Sequence, residues 1–195
     1  LLKIAFYLKR NSPLTTPLNK PLQKLPKIKK AKPSDAKLLS KLSIASFLPA
    51  HGHSASKKDV DNYVAQNFSE ECFVEELEDS KNEYYLMEYK NKVAGYSKII
   101  FNQVSKDITA KNIVYMSRLY LLEDFYGLGL GKELFNFNLE LVKQNNQAGI
   151  WLAVWVENVK AISFYKKMGF KKVGNYDFRI SETHFNPNHI LYLEF

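Results

Sequence analysis

The sequence is poor in cysteine and in long apolar runs. Cys72 is the only cysteine among the 195 residues. The chain therefore cannot form an intramolecular disulfide, and a reducing cytoplasm is the expected location. No apolar run approaches the ~20 residues that a membrane-spanning helix needs, so no membrane partner is expected.

Acidic residues are absent from residues 1–34, where nine Lys or Arg occur. The net charge of +8 therefore belongs to this leader, since 28 basic residues less those nine leave 19 against 20 acidic ones. The body of the chain gives no electrostatic reason to expect a nucleic-acid partner.

Residues 1–26 contain four of the seven prolines and show no sustained helical or alternating pattern. They are predicted to be a basic N-terminal extension, or an artefact of an upstream start site, before one domain over residues 27–195. A transit peptide or nucleic-acid-binding arm is the alternative, but the leader lacks an Arg-rich helical pattern. One domain with an appendage fits 195 residues better than two domains do.

From residue 27 onward, apolar periodicity and turn residues predict a mixed α/β domain on a largely antiparallel sheet of about seven strands flanked by helices. The first helix is expected to be broken by Pro49 and Gly52, which leaves His51 and His53 in a loop. Ser56 and Ser69 are predicted to cap the next two helices. The predicted elements are a strand at 27–31, three helices between 34 and 80, strands at 84–89, 93–101 and 113–122, a helix ending near 145, a strand at 150–155, a helix from 158 to 169, and strands at 170–178 and 189–195.

Three alternating glycines lie where a predicted strand turns into a helix: Gly127, Gly129 and Gly131. Small residues there let backbone N–H groups approach phosphate oxygens, and the helix N-terminus adds a partial positive charge. Lys132 adds a full charge. A Walker loop fails because Tyr and Glu stand at positions 126 and 133, and a dinucleotide fingerprint fails because positions 132 and 134 lack glycine. A tight turn without a ligand is the alternative.

The segment Asn158-Val-Lys-Ala-Ile-Ser-Phe-Tyr165 would by itself be typical of a core helix. Taken with the glycine turn, however, it resembles the GNAT superfamily of acyl-CoA-dependent N-acetyltransferases. The pattern Asn-x-x-Ala-x-x-Phe-Tyr-x-x-x-Gly-Phe matches residues 158–170, and Arg/Gln-x-x-Gly-x-Gly/Ala falls on residues 126–131. Tyr126 departs from the second pattern. The resemblance covers roughly residues 28–195 and implies the GNAT fold.

Within that superfamily the chain looks most like PaiA-type spermidine/spermine acetyltransferases, which implies a small polyamine acceptor. The supporting stretches are residues 41–47, 93–96, 118–121, 127–132 and 150–155. Residues 59–80 contain eight acids and no base, so an acidic surface could attract amines; a solvated helix face is the alternative. The residues expected to bind the acceptor are Glu75, Glu76, Tyr120, His51 and His53.

The resemblance implies direct transfer of an acetyl group from acetyl-CoA to a primary amine. The backbone N–H of Leu121 would polarise the thioester carbonyl, and Tyr165 would act as the general acid that protonates the departing thiolate. The residues implied to contact the cofactor are Leu119, Tyr120 and Leu121 at the pantetheine arm, Gly127, Leu128, Gly129, Leu130, Gly131 and Lys132 at the pyrophosphate, and Asn158, Phe164 and Tyr165.

Several points stay open in the sequence. Residues 115–118 carry no carboxylate, where many relatives place a Glu base, so a water chain, an acid from residues 59–79, His51 or His53 could serve. Two histidines without a third ligand predict no metal site, and Cys72 lacks a nearby His–Asp set. A protein or peptide N-acetyltransferase and a non-catalytic acyl-CoA-binding sensor are the alternatives. A homodimer is left open.

Overall fold

The computed structural model describes residues 25–195, so the extension predicted over residues 1–26 lies almost wholly outside the described residues and stays a prediction. The described part contains seven strands and five α-helices. In chain order they are β1 (Lys27–Lys30), α1 (Ala36–His51), α2 (Lys57–Asn67), α3 (Glu70–Glu78), β2 (Asn82–Tyr89), β3 (Lys92–Ile100), β4 (Ile113–Leu121), α4 (Leu130–Gln144), β5 (Gly149–Trp155), α5 (Val159–Lys167), β6 (Lys171–Arg179) and β7 (Phe185–Glu194).

The seven strands form one sheet in the order β1-β2-β3-β4-β5-β7-β6. Every neighbouring pair is antiparallel except β4 and β5, which are parallel. The predicted mixed, mostly antiparallel sheet is therefore confirmed. The parallel pairing joins only Ile113–Tyr115 of β4 to Gly149–Trp151 of β5. Beyond those residues the two strands share no ladder, which opens a gap at their carboxyl ends.

The helices cover both faces of the sheet, as the alternation along β2 shows. Leu86 is fully buried in the cluster that contains Leu39 of α1 and Phe73 of α3. Its neighbour Met87, also fully buried, packs in a cluster with Leu134 of α4. Because successive strand side chains point to opposite faces, α1 and α3 cover one face and α4 covers the other. Within residues 25–195, none of the helices has the length and apolar character needed to cross a membrane.

Pro49 does not end α1, so the expectation that His51 lies in a loop was wrong. The proline stands near the C-terminal end of the helix, where its missing N–H costs one hydrogen bond and the remaining turn continues to His51. Gly52 then closes the helix, its N–H donating to the carbonyl of Leu48 at 2.8 Å. His51 is therefore held on the last turn of α1, whereas His53 follows it in the loop.

The two predicted serine caps are confirmed. The hydroxyl of Ser56 accepts a hydrogen bond from the N–H of Asp59 at 3.2 Å, and that of Ser69 accepts one from the N–H of Cys72 at 3.2 Å. Each bond satisfies a backbone donor that the first turn leaves free. The caps fix where α2 and α3 begin.

Candidate active site

The N–H of Leu121 faces the gap between β4 and β5. Leu122 N donates to Ala94 O at 2.9 Å, so these opposite residues form a hydrogen-bonded pair between the strands. In an antiparallel ladder such pairs alternate with pairs that exchange no hydrogen bonds. The next pair, Leu121 opposite Gly95, is therefore of the second kind, and the N–H of Leu121 points away from β3. The splayed strands leave this donor without a ladder partner.

The turn before α4 presents five consecutive backbone N–H groups. Gly127 and Gly129 have φ values of +75° and +79°, a left-handed conformation that glycine adopts without a steric penalty. Among residues 25–195, no acceptor is recorded for the N–H groups of residues 127–131, whereas Lys132 N already donates to Gly129 O at 3.0 Å. These donors and the positive end of α4 make a site suited to an anion.

A groove of about 900 Å³ runs from this turn along β4 to α5. Every residue expected to contact the cofactor lies on its wall except Leu128, whose side chain is exposed and which contributes only its backbone N–H. Asn158 caps α5, its Oδ1 accepting from Ala161 N at 3.1 Å, and its Nδ2 stays available to the groove. We call this space the donor groove.

A second cavity, of about 280 Å³, adjoins the donor groove on the side of α1 and β7. We call it the acceptor cavity. Its walls combine aromatic rings, such as those of Phe47, Tyr63 and Trp155, with polar and charged side chains. The two spaces meet at residues that line both, namely Leu119, Tyr120, Trp155, Asn158, Ala161 and Tyr165. A group bound at this junction would be reachable from both sides.

The phenol of Tyr165 lies at the junction. Its ring packs edge-on against Phe164 and Phe170, with centroids 5.3 Å and 5.4 Å away. Burial raises the pKa of Tyr165, so the hydroxyl keeps its proton at neutral pH. No hydrogen-bond partner for that hydroxyl is recorded in the described part of the chain, which leaves its proton free for a bound molecule.

The two histidines expected on the acceptor side occupy different spaces. His51 lines the acceptor cavity, stacked on Phe47 at 4.9 Å and tilted against Trp155 at 5.8 Å. Burial, with a smaller contribution from His53, lowers the pKa of His51 to about 4, so this imidazole is neutral at pH 7. His53 instead lines the donor groove.

The acidic residues expected to bind the acceptor do not face it. Glu75 is exposed on α3 and lines neither space. The carboxylate of Glu76 accepts from Lys98 Nζ at 2.8 Å and from Arg118 Nη1 at 3.4 Å, and it also contacts the hydroxyl of Tyr84. Both oxygens of the Glu76 carboxylate are thus held by neighbouring side chains, and binding of the acceptor by Glu75 and Glu76 stays a prediction.

Sequence reasoning assigned no role to several residues of the acceptor cavity, among them Lys98, Ser117, Arg118 and Trp155. Ser117 Oγ is buried without a hydrogen-bond partner in the described residues. Ser117 and Arg118 are consecutive residues of β4, and neither is a carboxylate of the kind expected for a general base there. A signal was present for Arg118, because a charged residue inside an otherwise apolar strand that ends at a ligand groove is unusual.

In residues 25–195 no three His, Cys, Asp or Glu side chains come together as a metal site would require. The chemical features of the site are its backbone donors, its phenol and its two adjoining spaces. These match the chemistry of acyl transfer from a phosphate-bearing thioester.

Comparison with known proteins agrees with an acyl-transfer site. The model of the Acetyltransferase (GNAT) family matches residues 49–170, more than half of the chain. An uncharacterized N-acetyltransferase in the pepI 3′ region of Lactobacillus delbrueckii subsp. lactis is 26% identical over 141 residues, covering 72% of this chain and 82% of the relative. The spermine/spermidine N(1)-acetyltransferase of Bacillus subtilis is 27% identical over 108 residues, covering 52% of this chain and 70% of that protein.

A solved structure shares the fold. The PaiA N-acetyltransferase of Thermoplasma acidophilum, crystallised with coenzyme A, superposes with a TM-score of 0.70 at 18% identity, over 88% of this chain and all of that one. The likeness extends to the seven-stranded sheet and its flanking helices. The chain belongs to the Acetyltransferase (GNAT) family and is an N-acetyltransferase that depends on acetyl-CoA.

Proposed function

We propose that the chain acetylates a primary amine of a small molecule, with acetyl-CoA in the donor groove and the amine in the acceptor cavity. The observation that carries this proposal is the junction of the two spaces at Leu119, Tyr120 and Tyr165. An acetyl group bound there can be attacked from the acceptor side while its thiol leaves towards the donor side. A volume of about 280 Å³ lies at the low end for small-molecule sites, so it suits a small acceptor better than a peptide chain.

The donor is held chiefly by backbone groups. In this proposal the N–H groups of residues 127–131 bind the pyrophosphate oxygens, and the exposed ammonium of Lys132 adds attraction. This grip does not require an Arg or Gln at position 126, where Tyr126 stands. Asn158 donates from Nδ2 to the pantetheine arm, since its Oδ1 already caps α5.

The reaction is a direct attack of the amine nitrogen on the thioester carbonyl carbon. The carbonyl oxygen gains negative charge as the C–N bond forms, and the N–H of Leu121 donates to it. The C–S bond then breaks, and the hydroxyl of Tyr165 gives its proton to the thiolate. Solvent afterwards returns a proton to the phenolate. Because burial raises the pKa of Tyr165, the phenol carries its proton when acetyl-CoA binds and can donate it as the C–S bond breaks.

The amine must lose a proton before or during attack. His51 is a poor recipient, because an imidazole of pKa about 4 is roughly six units less basic than an alkylamine of pKa ~10.4. We therefore assign the proton to water in the acceptor cavity. The buried hydroxyl of Ser117, which has no partner in residues 25–195, can hold such a water on the cavity wall.

The substitution Tyr165→Phe tests the assignment of the acid. It removes the hydroxyl and keeps the ring packing, so we expect kcat to fall by at least about tenfold while the Kd for acetyl-CoA stays within about threefold. CoA release with a turned-over amine gives kcat, and calorimetry gives the Kd. Tyr63→Phe is the matched control, because it removes another phenol from the acceptor cavity.

Two results would contradict the proposal. A kcat for Tyr165→Phe within a factor of two of the wild type would remove Tyr165 from the acid role. If acetyl-CoA at millimolar concentration gave no calorimetric signal, its binding in the donor groove would be refuted. The enzyme and the acyl-CoA sensor would then both be excluded, because each must bind acyl-CoA.

A polyamine acceptor is the second candidate. The eight acids between residues 59 and 80 favour it, as does the similarity to the Bacillus subtilis spermine/spermidine enzyme. The cavity supports it less well, because Glu75 points away and Glu76 is held by two cations. A CoA-release screen that includes spermidine and spermine tests whether a polyamine is the acceptor.

A further inference from the structure

The acceptor cavity carries an excess of buried positive charge. Lys98 and Arg118 line it with side chains only 10% and 13% exposed, and the single carboxylate that pairs with either of them is that of Glu76. No Asp or Glu is among the cavity-lining residues within 25–195. Two cations and one carboxylate leave one positive charge without an acidic partner, in a place where water compensates it poorly. Aromatic rings stabilise both cations, since Lys98 Nζ lies 5.4 Å from the centre of the Tyr84 ring and Arg118 Cζ lies over the rings of Phe68, Phe73 and Tyr84, but a ring carries no net negative charge.

Arg118 retains donors for another anion. Its Nη1 donates to the hydroxyl of Tyr84 at 2.6 Å, and Nη1 and Nη2 approach the two oxygens of Glu76 at 3.4 Å each. A guanidinium has five N–H donors. No partner is recorded in residues 25–195 for Nε or for the second hydrogen of Nη2. The contacts to Glu76 are long, so this carboxylate uses the arginine incompletely.

Lys98 supports the same reading. Its Nζ lies 2.8 Å from Glu76 Oε2, yet burial lowers its pKa, and Arg118 lowers it further, in spite of that carboxylate. The ammonium is thus stabilised less than it would be in water. A second anion beside the pair would supply the missing compensation.

Resting on the proposed amine acetylation, we infer that the acceptor is a small amine that also bears a carboxylate, which Arg118 binds at the wall of the acceptor cavity. Arginine is suited to this because its planar fork matches the two oxygens of a carboxylate. The anion would neutralise the excess charge of Lys98 and Arg118.

The position of Arg118 sets the length and character of the acceptor. Along β4 it precedes Leu121, whose N–H faces the acetyl site, by three residues, or ~10 Å of strand. The Arg118 side chain lines the cavity wall, so a short acceptor such as an α-amino acid would offer its carboxylate to the guanidinium and its amine to the carbonyl carbon. The cavity walls add Phe47, Tyr63 and Trp155, which favour an apolar or aromatic side chain.

The test compares acceptors that differ only in the carboxylate, using the wild-type chain. CoA release is measured with L-phenylalanine, L-leucine and L-methionine, with the amide of each, with phenethylamine and with spermidine. We expect kcat/KM for at least one free amino acid to exceed that of its amide by tenfold or more. The lower basicity of an amino-acid amide puts more of it in the reactive neutral form, so such a preference cannot come from amine protonation.

Two variants locate the effect. Arg118→Gln leaves Glu76 paired with Lys98, so the buried cluster stays balanced; it is expected to raise the KM for the amino acid tenfold or more and to leave the KM for the amide and for acetyl-CoA within threefold. The control Lys30→Met removes a lysine whose ion pair with Glu83 lies outside the cavity, and should change neither KM. Circular dichroism and the Kd for acetyl-CoA establish that each variant is folded.

The outcomes separate this inference from the proposed function. Amides, phenethylamine or spermidine turned over as well as the free amino acids would overturn the carboxylate inference and leave amine acetylation standing. Equal KM changes for acid and amide in Arg118→Gln would also overturn it. Absence of CoA release with every amine, in a chain that binds acetyl-CoA, would refute amine acetylation by small acceptors and the inference together.

Discussion

Replacing His51 should remove a measurable part of the acid sensitivity of folding. The ring lies on the last turn of α1 between Phe47 and Trp155, and burial lowers its pKa from 6.5 to about 4. In the unfolded chain the imidazole returns to a pKa near 6.5 and binds a proton more readily than in the folded one. A His with a lowered pKa therefore contributes stability above pH 6.5, and this contribution is lost as the pH falls towards 4.

The size of the effect follows from the two pKa values. Between pH 7 and pH 5 the loss of unfolding free energy from this one residue is about 2 kcal/mol, and its limit below pH 4 is roughly 3 kcal/mol. That is a large part of the 5–15 kcal/mol typical of small domains. Above pH 7 the titration of His51 should contribute almost nothing.

The measurement is urea unfolding of the wild type, His51→Phe and His51→Gln at pH 5, 6, 7 and 8. The phenylalanine keeps ring packing in the cavity, whereas the glutamine keeps polarity; neither titrates in this range. Between pH 7 and pH 5, the free energy of unfolding of both variants should fall by about 2 kcal/mol less than that of the wild type. If the free energy of unfolding of the wild type changed with pH in parallel with that of both variants, the argument that burial holds His51 neutral would be refuted.

Two further substitutions test the packing and the charge cluster next to the site. Gly95→Ala would place a Cβ 2.1 Å from the carbonyl oxygen of Tyr120, so β4 must shift; we expect a loss of ~1–3 kcal/mol in unfolding free energy and a lower kcat. Gly174→Ala is the control, because its Cβ would meet only the side chain of Asp107, which can move. Equal losses of unfolding free energy in the two variants would contradict the expected shift of β4. Glu76→Gln leaves two buried cations without a carboxylate and should cost ~3–5 kcal/mol, against less than ~1 for Asp61→Asn at the exposed pair with Lys57; similar urea midpoints for the two would argue against a buried charge cluster.

The features that the sequence predicted well are encoded in a few consecutive residues. Ser56 and Ser69 cap helices because a hydroxyl reaches an N–H three residues ahead. Gly169 has φ +94° at the end of α5, and Gly127 and Gly129 adopt the left-handed turn that opens α4. In each case the neighbouring residues in the sequence decide the local conformation, and contacts with distant parts of the fold have little influence on it.

The features that were missed depend on contacts between distant segments. Strand β7 was expected to begin at residue 189, yet it begins at Phe185, includes Pro187 and lies between β5 and β6. The carbonyl of Pro187 accepts from Val156 N at 3.0 Å, so the proline joins the sheet through its acceptor. Strand order and such one-sided pairing are properties of the assembled sheet, which no local pattern specifies.

The acidic stretch shows why charge counted along a sequence can give the opposite sign to charge in a cavity. Glu75 and Glu76 are neighbours on α3, and a step of about 100° around the helix turns one to solvent and the other inward. Inward, Glu76 meets Arg118, 42 residues later in the chain, and is neutralised there. What the acceptor faces is then the unmatched positive charge of Lys98 and Arg118. Eight acids in succession indicated a cationic acceptor, and one of them, by folding against two bases, produces a wall suited to an anion.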